Sequence, residues 1–141
     1  MAEFPASVGI KDLLAAHVVI SGWQIEIGQF PDAPDKVIML MDTGGIEPNP
    51  KWLLDFPTVQ ALVRGTVGGY LDTFREAKAV KDILLGIGAF TTTDGDRWDG
   101  IIQNGDLGSA GRDETMRPLF SVNFAVFLEP QLVANSNRLA L

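Results

Sequence analysis

The 141 residues carry 18 acidic and 11 basic side chains, for a net charge of −7, and the basic ones form no run. Such a surface repels nucleic acid on average, because duplex binding needs phosphates neutralised, so a dedicated DNA-binding face is not expected. There are no cysteines, which removes disulfides, thiolate metal sites and cysteine nucleophiles, and a single histidine, His17, leaves little imidazole chemistry.

The length suits one domain with one modest core, and 46% hydrophobic residues rule out disorder for its bulk. No apolar run approaches the ~20 residues that span a bilayer. The opening "MAEFPASVGIKDLLAAHVV" lacks the basic start and compact apolar stretch of a signal peptide, so the expected site of synthesis and folding is the cytoplasm, without membrane contact.

Helical spacing comes first. Ile10, Leu13, Leu14 and Val18 form one apolar stripe with His17 on it, Ser7 is the expected N-cap, and Ser21-Gly22 the expected stop. "WQIEIG" alternates Trp23, Ile25 and Ile27 with Gln24 and Glu26, which predicts a half-buried strand. "FPDAPD" is a turn, and "KVIMLMDT" is apolar on both faces, as a doubly covered strand is. "GGIEPNPKW" is expected to be a loop. "PTVQALVRGT" predicts a third strand, with Val59, Ala61 and Val63 inward and Gln60 and Arg64 outward.

After Gly68-Gly69 the stripe Tyr70, Phe74, Ala77, Val80 (or Lys81), Leu84, Ile87 predicts a second helix, closed by Gly86 and Gly88. Its wet side should hold Asp72, Glu76, Lys78 and Asp82, with Lys78 and Asp82 paired one turn apart. Asp94-Gly95 signals a hairpin into "RWDGIIQ". A long loop, 104 to 118, precedes the clearest strand, "LFSVNFAVFLEP", where Phe120, Val122, Phe124, Val126 and Leu128 alternate with polar or small residues.

The predicted order is α-β-β-β-α-β-β. It implies an α+β fold with a mostly antiparallel sheet of about five strands and two main helices packed on one side. Residues 1–130 read as a single domain and 131–141 as a C-terminal arm, flexible or docked on a neighbour.

Catalytic readings are thin. His17 has no partners for a triad and reads as packed or at an interface. Asp94, Asp96 and Asp99 resemble a hard-cation loop without its distal glutamate, so a solvated hairpin tip is favoured. "GTVGGY" has neither the lysine of a P-loop nor dinucleotide-fold spacing. "DTGG", from Asp42, resembles an aspartic-protease loop, which would need a second matching aspartate loop or a homodimer that brings two copies together. A small acidic hydrolase using Asp42 or the 94–99 cluster is the rival from another class, and an adaptor binding through its sheet edge is a third reading. No catalytic, cofactor-binding or metal residue is assigned.

"GRDETMRPLFSVNF" holds Arg112, Asp113, Glu114 and Arg117 without a nucleophile or base beside them. These four are the candidate residues for subunit contact or for ordering the loop.

In order along the chain, "DTGG" at 42–45, "FPTVQALVRG" at 56–65, "IIQNGD" at 101–106 and "GRDETMRPLFSVNFAVFLEP" at 111–130 resemble the phage minor capsid protein family, akin to the tail terminator, or tail completion, proteins of tailed bacteriophages. The likeness runs over roughly residues 8 to 130. It implies a structural virion protein at the head–tail junction, assembled in the host cytoplasm. It also implies a homo-oligomeric, usually hexameric, ring that stops tube polymerisation and joins tail to head. Partners would be the tail tube protein and a head completion or connector protein, with DNA passing through the hole unbound. Another head–tail connector or a tube subunit is the near alternative.

Overall fold

The computed structural model describes residues 4–17, 20–49, 54–92 and 95–130. In chain order these form α1 (Ala6–Ala15), β1 (Gln24–Ile27), β2 (Val37–Asn49), β3 (Leu54–Arg64), α2 (Tyr70–Leu85), β4 (Phe90–Thr91), β5 (Arg97–Gln103), β6 (Gly108–Arg112) and β7 (Pro118–Glu129). The strands make one seven-stranded sheet in the order β1-β2-β3-β7-β5-β4, with β6 also paired to β7. All pairings are antiparallel except β1 with β2.

The α+β class and the order of the main elements are those the periodicity predicts. The additional strands are the ones a periodicity search misses. β4 has two residues, and β6 is "GSAGR", without an apolar alternation to read. The segment expected to be a loop from 104 to 118 therefore contains a strand. Likewise "GGIEPN", expected to be loop, continues β2 as far as Asn49. Two register shifts, between Asp42 and Gly44 and between Ile46 and Asn49, absorb residues that do not fit a regular ladder. Gly45 has φ +116°, and a Cβ there would lie 2.1 Å from the Phe56 carbonyl oxygen, so only glycine lets the strands close at that point.

One sheet face carries the core. In register across β2, β3 and β7 lie Ile38–Val63–Phe120 and Leu40–Ala61–Val122, with Val59 beside Phe124 and Ile101 beside Val126. Ile10 and Leu14 of α1 and Ala77, Val80 and Leu84 of α2 close over this face. Each fully buried aliphatic side chain here contributes about 1.5–3 kcal/mol of transfer free energy.

The helices depart from the sequence reading in three ways. α1 ends at Ala15, so His17 lies beyond it and is exposed; Val18 is outside the described residues. Ser7 is not an N-cap but the second helical residue. Its backbone N–H and hydroxyl donate to the two Asp42 carboxylate oxygens, at 3.1 and 2.7 Å, so β2 satisfies the helix start. On α2 the buried line is Thr73, Glu76, Ala77, Val80, Leu84. It is turned from the predicted stripe, leaving Tyr70 and Phe74 half out against the Phe120 ring. Close approach of α2 to β3 depends on Gly65, where a Cβ would fall 1.8 Å from Thr73 Oγ1.

Glu76, placed on the wet side by its spacing, is thus buried, and its Oε1 has no hydrogen-bond partner among the described residues. Burial pushes its carboxyl up to about 7, against a smaller downward pull from Lys36. The folded state therefore holds this proton more tightly than the unfolded chain. Stability is undiminished below the ordinary glutamate value and falls as pH rises from there through about 7. Glu76→Gln should remove that slope: thermal melts between pH 5 and 8 are expected to fall for the natural chain and stay level for the variant. At pH 8 the variant should be the more stable by roughly 1–3 kcal/mol.

Candidate functional site

The sheet's second face holds no helix among the described residues, and one end of it is covered by the segment between β1 and β2. Because β1 and β2 run parallel, residues 28–36 must carry the chain back before β2 begins. Two arginines hold that segment down. Arg64, the last residue of β3, is opposite Val37 in register and is 2% exposed. Its Nε donates to Asp35 O at 3.0 Å and its Nη2 to Pro31 O and Pro34 O at 2.7 and 2.8 Å. Its guanidinium also lies 4.8 Å from the Phe30 ring centroid. The outward position of Arg64 in the strand was legible; that a loop would fold over it was not.

Arg117 works beside it. Its Nη1 donates to Asp32 O at 2.7 Å and to Asp35 Oδ1 at 3.2 Å, and its Nε donates to Asp113 Oδ2 at 2.7 Å. Burial and the neighbouring Arg117 charge lower the Arg64 guanidinium from its ordinary value, with Asp113, Asp35 and Asp32 opposing. Both remain charged at any physiological pH.

Asp113 organises the turn between β6 and β7. Its Oδ1 accepts from Thr115 N, Thr115 Oγ1 and Arg117 N at 3.0, 3.0 and 2.9 Å. Backbone bonds from Met116 N to Asp113 O and from Asp113 N to Arg117 O, both 3.0 Å, close it. Met116 sits at φ 68°, a left-handed conformation unusual for a side chain of its size, held by these bonds. Burial works to raise the Asp113 carboxyl, but the Arg117 and Thr115 hydrogen bonds outweigh it and hold the group below the usual aspartate range.

The four residues singled out in the sequence thus divide. Arg117 and Asp113 turn inward and order the loop. Arg112 and Glu114 are exposed and make no side-chain hydrogen bond or ion pair among the described residues. Beside them lies an open groove of about 430 Å³, lined by Tyr70, Ser109, Gly111, Arg112 and Met116. Val67, just before α2, and Leu71 and Phe74 in its first turns are also exposed.

The catalytic rivals find no assembled site. Asp42 is engaged with Ser7. Asp99 shares a hydrogen bond with Glu129, which raises the Glu129 carboxyl, and Arg97 lies 3.3 Å from Asp99 Oδ1 and 3.7 Å from Glu129 Oε2. Asp94 is outside the described residues, and among those described no cluster of three or more His, Asp or Glu is placed to hold a metal. His17 lines a separate groove with Trp23 and Ile20.

An exposed groove that sets Tyr70 and Met116 beside an unpaired cation, Arg112, has the make-up of a surface that binds another protein. The family model described as bacteriophage tail terminator protein matches residues 13–130, and the chain belongs to that family. It is a structural virion component, not an enzyme. No curated protein matches it. A chain from the virion of a native gene transfer agent particle shares its fold, with a TM-score of 0.66 at 15% identity over 88% of this chain and 94% of that one.

If Arg117 and Asp113 serve the fold, Arg117→Ala should lower the melting temperature by several degrees and speed amide exchange at 31–35 and 113–117, whereas Arg112→Ala should change neither. The Asp113 carboxyl is depressed in the fold, so its contribution is complete above the ordinary aspartate range and lost as pH falls through its folded value. The stability gap between the natural chain and Asp113→Asn should therefore narrow from pH 6 to pH 3 in denaturant titrations.

Proposed function

We propose that this chain is the tail terminator proper: a ring-forming subunit at the head-proximal end of the tail that stops tube growth and presents a surface to the head completion proteins. The observation that carries the reading is the family match over residues 13–130, which spans every strand, the whole of α2 and the last turn of α1. The chain that shares the fold comes from the virion of a gene transfer agent particle, so the fold itself occurs in a virion subunit.

The physical make-up agrees. A ring is a closed set of identical heterologous contacts and needs two different patches per subunit. Unpaired strand edges and exposed apolar residues occur at separate places on this sheet. A net charge of −7 suits a passage through which DNA moves without binding, since like charge opposes phosphate contact.

Native mass measurement of the purified chain, alone and with tube protein, is expected to show one discrete species of roughly six 15.2 kDa subunits. Particles made without the chain should accumulate as unjoined heads and overlong or unfinished tails. Open-ended fibres of the chain alone would assign it to the tube instead, and normal joined particles in its absence would end the terminator reading.

A further inference from the structure

Two surfaces of the chain, at opposite ends of the sheet, complement each other. The first is the far half of the β2–β3 hairpin. β1 pairs with β2 only over Val37–Leu40, so beyond that point β2 has no partner on its outer side among the described residues. Every residue from Met41 to Pro48 is exposed there. Ile46 is 67% exposed, the highest value among the large apolar residues described. Glu47 follows it and makes no ion pair or side-chain hydrogen bond among the described residues. The ribbon thus presents an apolar knob and a carboxylate side by side.

The second surface is the groove between the start of α2 and the β6–β7 turn. Its apolar wall is Tyr70 and Met116, 48% and 55% exposed, and its polar wall includes the unpaired Arg112. β6 pairs with β7 on one side only, so its other edge is free among the described residues. Its small residues, Gly108, Ser109, Ala110 and Gly111, leave that edge open to an approaching backbone.

We propose that the β2–β3 hairpin of one copy seats in this groove of the next, with Ile46 against Tyr70 and Met116 and Glu47 facing Arg112. The proposal rests on the ring reading above and supplies its contact. Charge decides between occupants: on a chain of net charge −7, Glu47 and Arg112 are an exposed acid and base left without partners beside apolar surfaces of matching character. Each side also offers an unpaired strand edge, so backbone hydrogen bonds between copies can add to the side-chain contact. The two patches differ, so the contact is head-to-tail and propagates around a ring instead of closing as a symmetric dimer.

The absence of native cysteine permits a direct test. Ile46 pairs with Phe56, whose ring meets Phe127, while Met116 lies just before β7 begins. Within one chain the two positions are thus separated by roughly 30 Å of strand, far beyond disulfide reach. A variant carrying both Ile46→Cys and Met116→Cys can therefore form this bond only between copies. Mild oxidation, of the purified protein at high concentration and of particles containing it, should give a ladder of linked species ending in one closed band. Glu47→Arg and Arg112→Glu, both at exposed sites, should each weaken oligomer formation at least tenfold, and combining them should restore it. Oligomers on native mass measurement with no ladder and no charge-swap rescue would overturn this contact and leave the ring reading standing. A chain that remains single in both settings would overturn both.

Discussion

Residues 30–35 are held to the sheet by two guanidinium groups, and the outward-facing parts of the molecule depend on that. Arg64 satisfies three carbonyl oxygens of a segment that has no regular structure of its own, and Arg117 adds a fourth together with two carboxylates. Buried polar groups are costly unless paired, and here each side solves the other's problem. The loop's carbonyls gain donors, and two cations on the bare sheet face gain acceptors. Removing either arginine would take away three of the hydrogen bonds that build this clamp.

The same clamp reaches outward. Because Arg117 is fixed by Asp113, and Asp113 by three donors within its own turn, the β6–β7 connection has one conformation, and Met116 is held at positive φ with its side chain in solvent. An exposed apolar residue on a rigid turn costs little entropy when it meets a partner. At the other end, β2 and β3 run on past β1 with two register shifts, which spoil a long regular edge while leaving a short regular stretch, Gly44 to Ile46, between them. The structure thus carries two preformed, unlike patches on a stiff sheet, which is what a closed ring of identical subunits requires.

Much of this was written in the sequence wherever burial repeats with a period. "LFSVNFAVFLEP" and "PTVQALVR" declared their inward faces; "KVIMLMDT" is doubly buried over Val37–Leu40, whereas Met41 to Thr43 run out past β1 and are exposed. The failures have physical reasons. β6 is built of small residues whose strand character comes from backbone pairing to β7, which leaves no trace in hydropathy. "GGIEPN" contains residues that usually end strands, accommodated by bulges and by Gly45. Glu76 shares the helical line of Val80 and Leu84, but its charge argued for solvent. In the charged turn the grouping of Arg112, Asp113, Glu114 and Arg117 was visible. Its division into inward and outward pairs was not, since it depends on "FPDAPD", about eighty residues earlier in the chain, folding back to meet Arg117.

The most direct measurement is a reconstruction of the head–tail junction in assembled particles by electron cryomicroscopy at a resolution that traces side chains. The account predicts a single closed ring of this chain capping the tube. Arg117 should lie inside each subunit and Arg112 at the boundary between neighbours. Finding the chain repeated along the tube, or finding Arg112 on a face that touches no other copy while Arg117 bridges subunits, would contradict it.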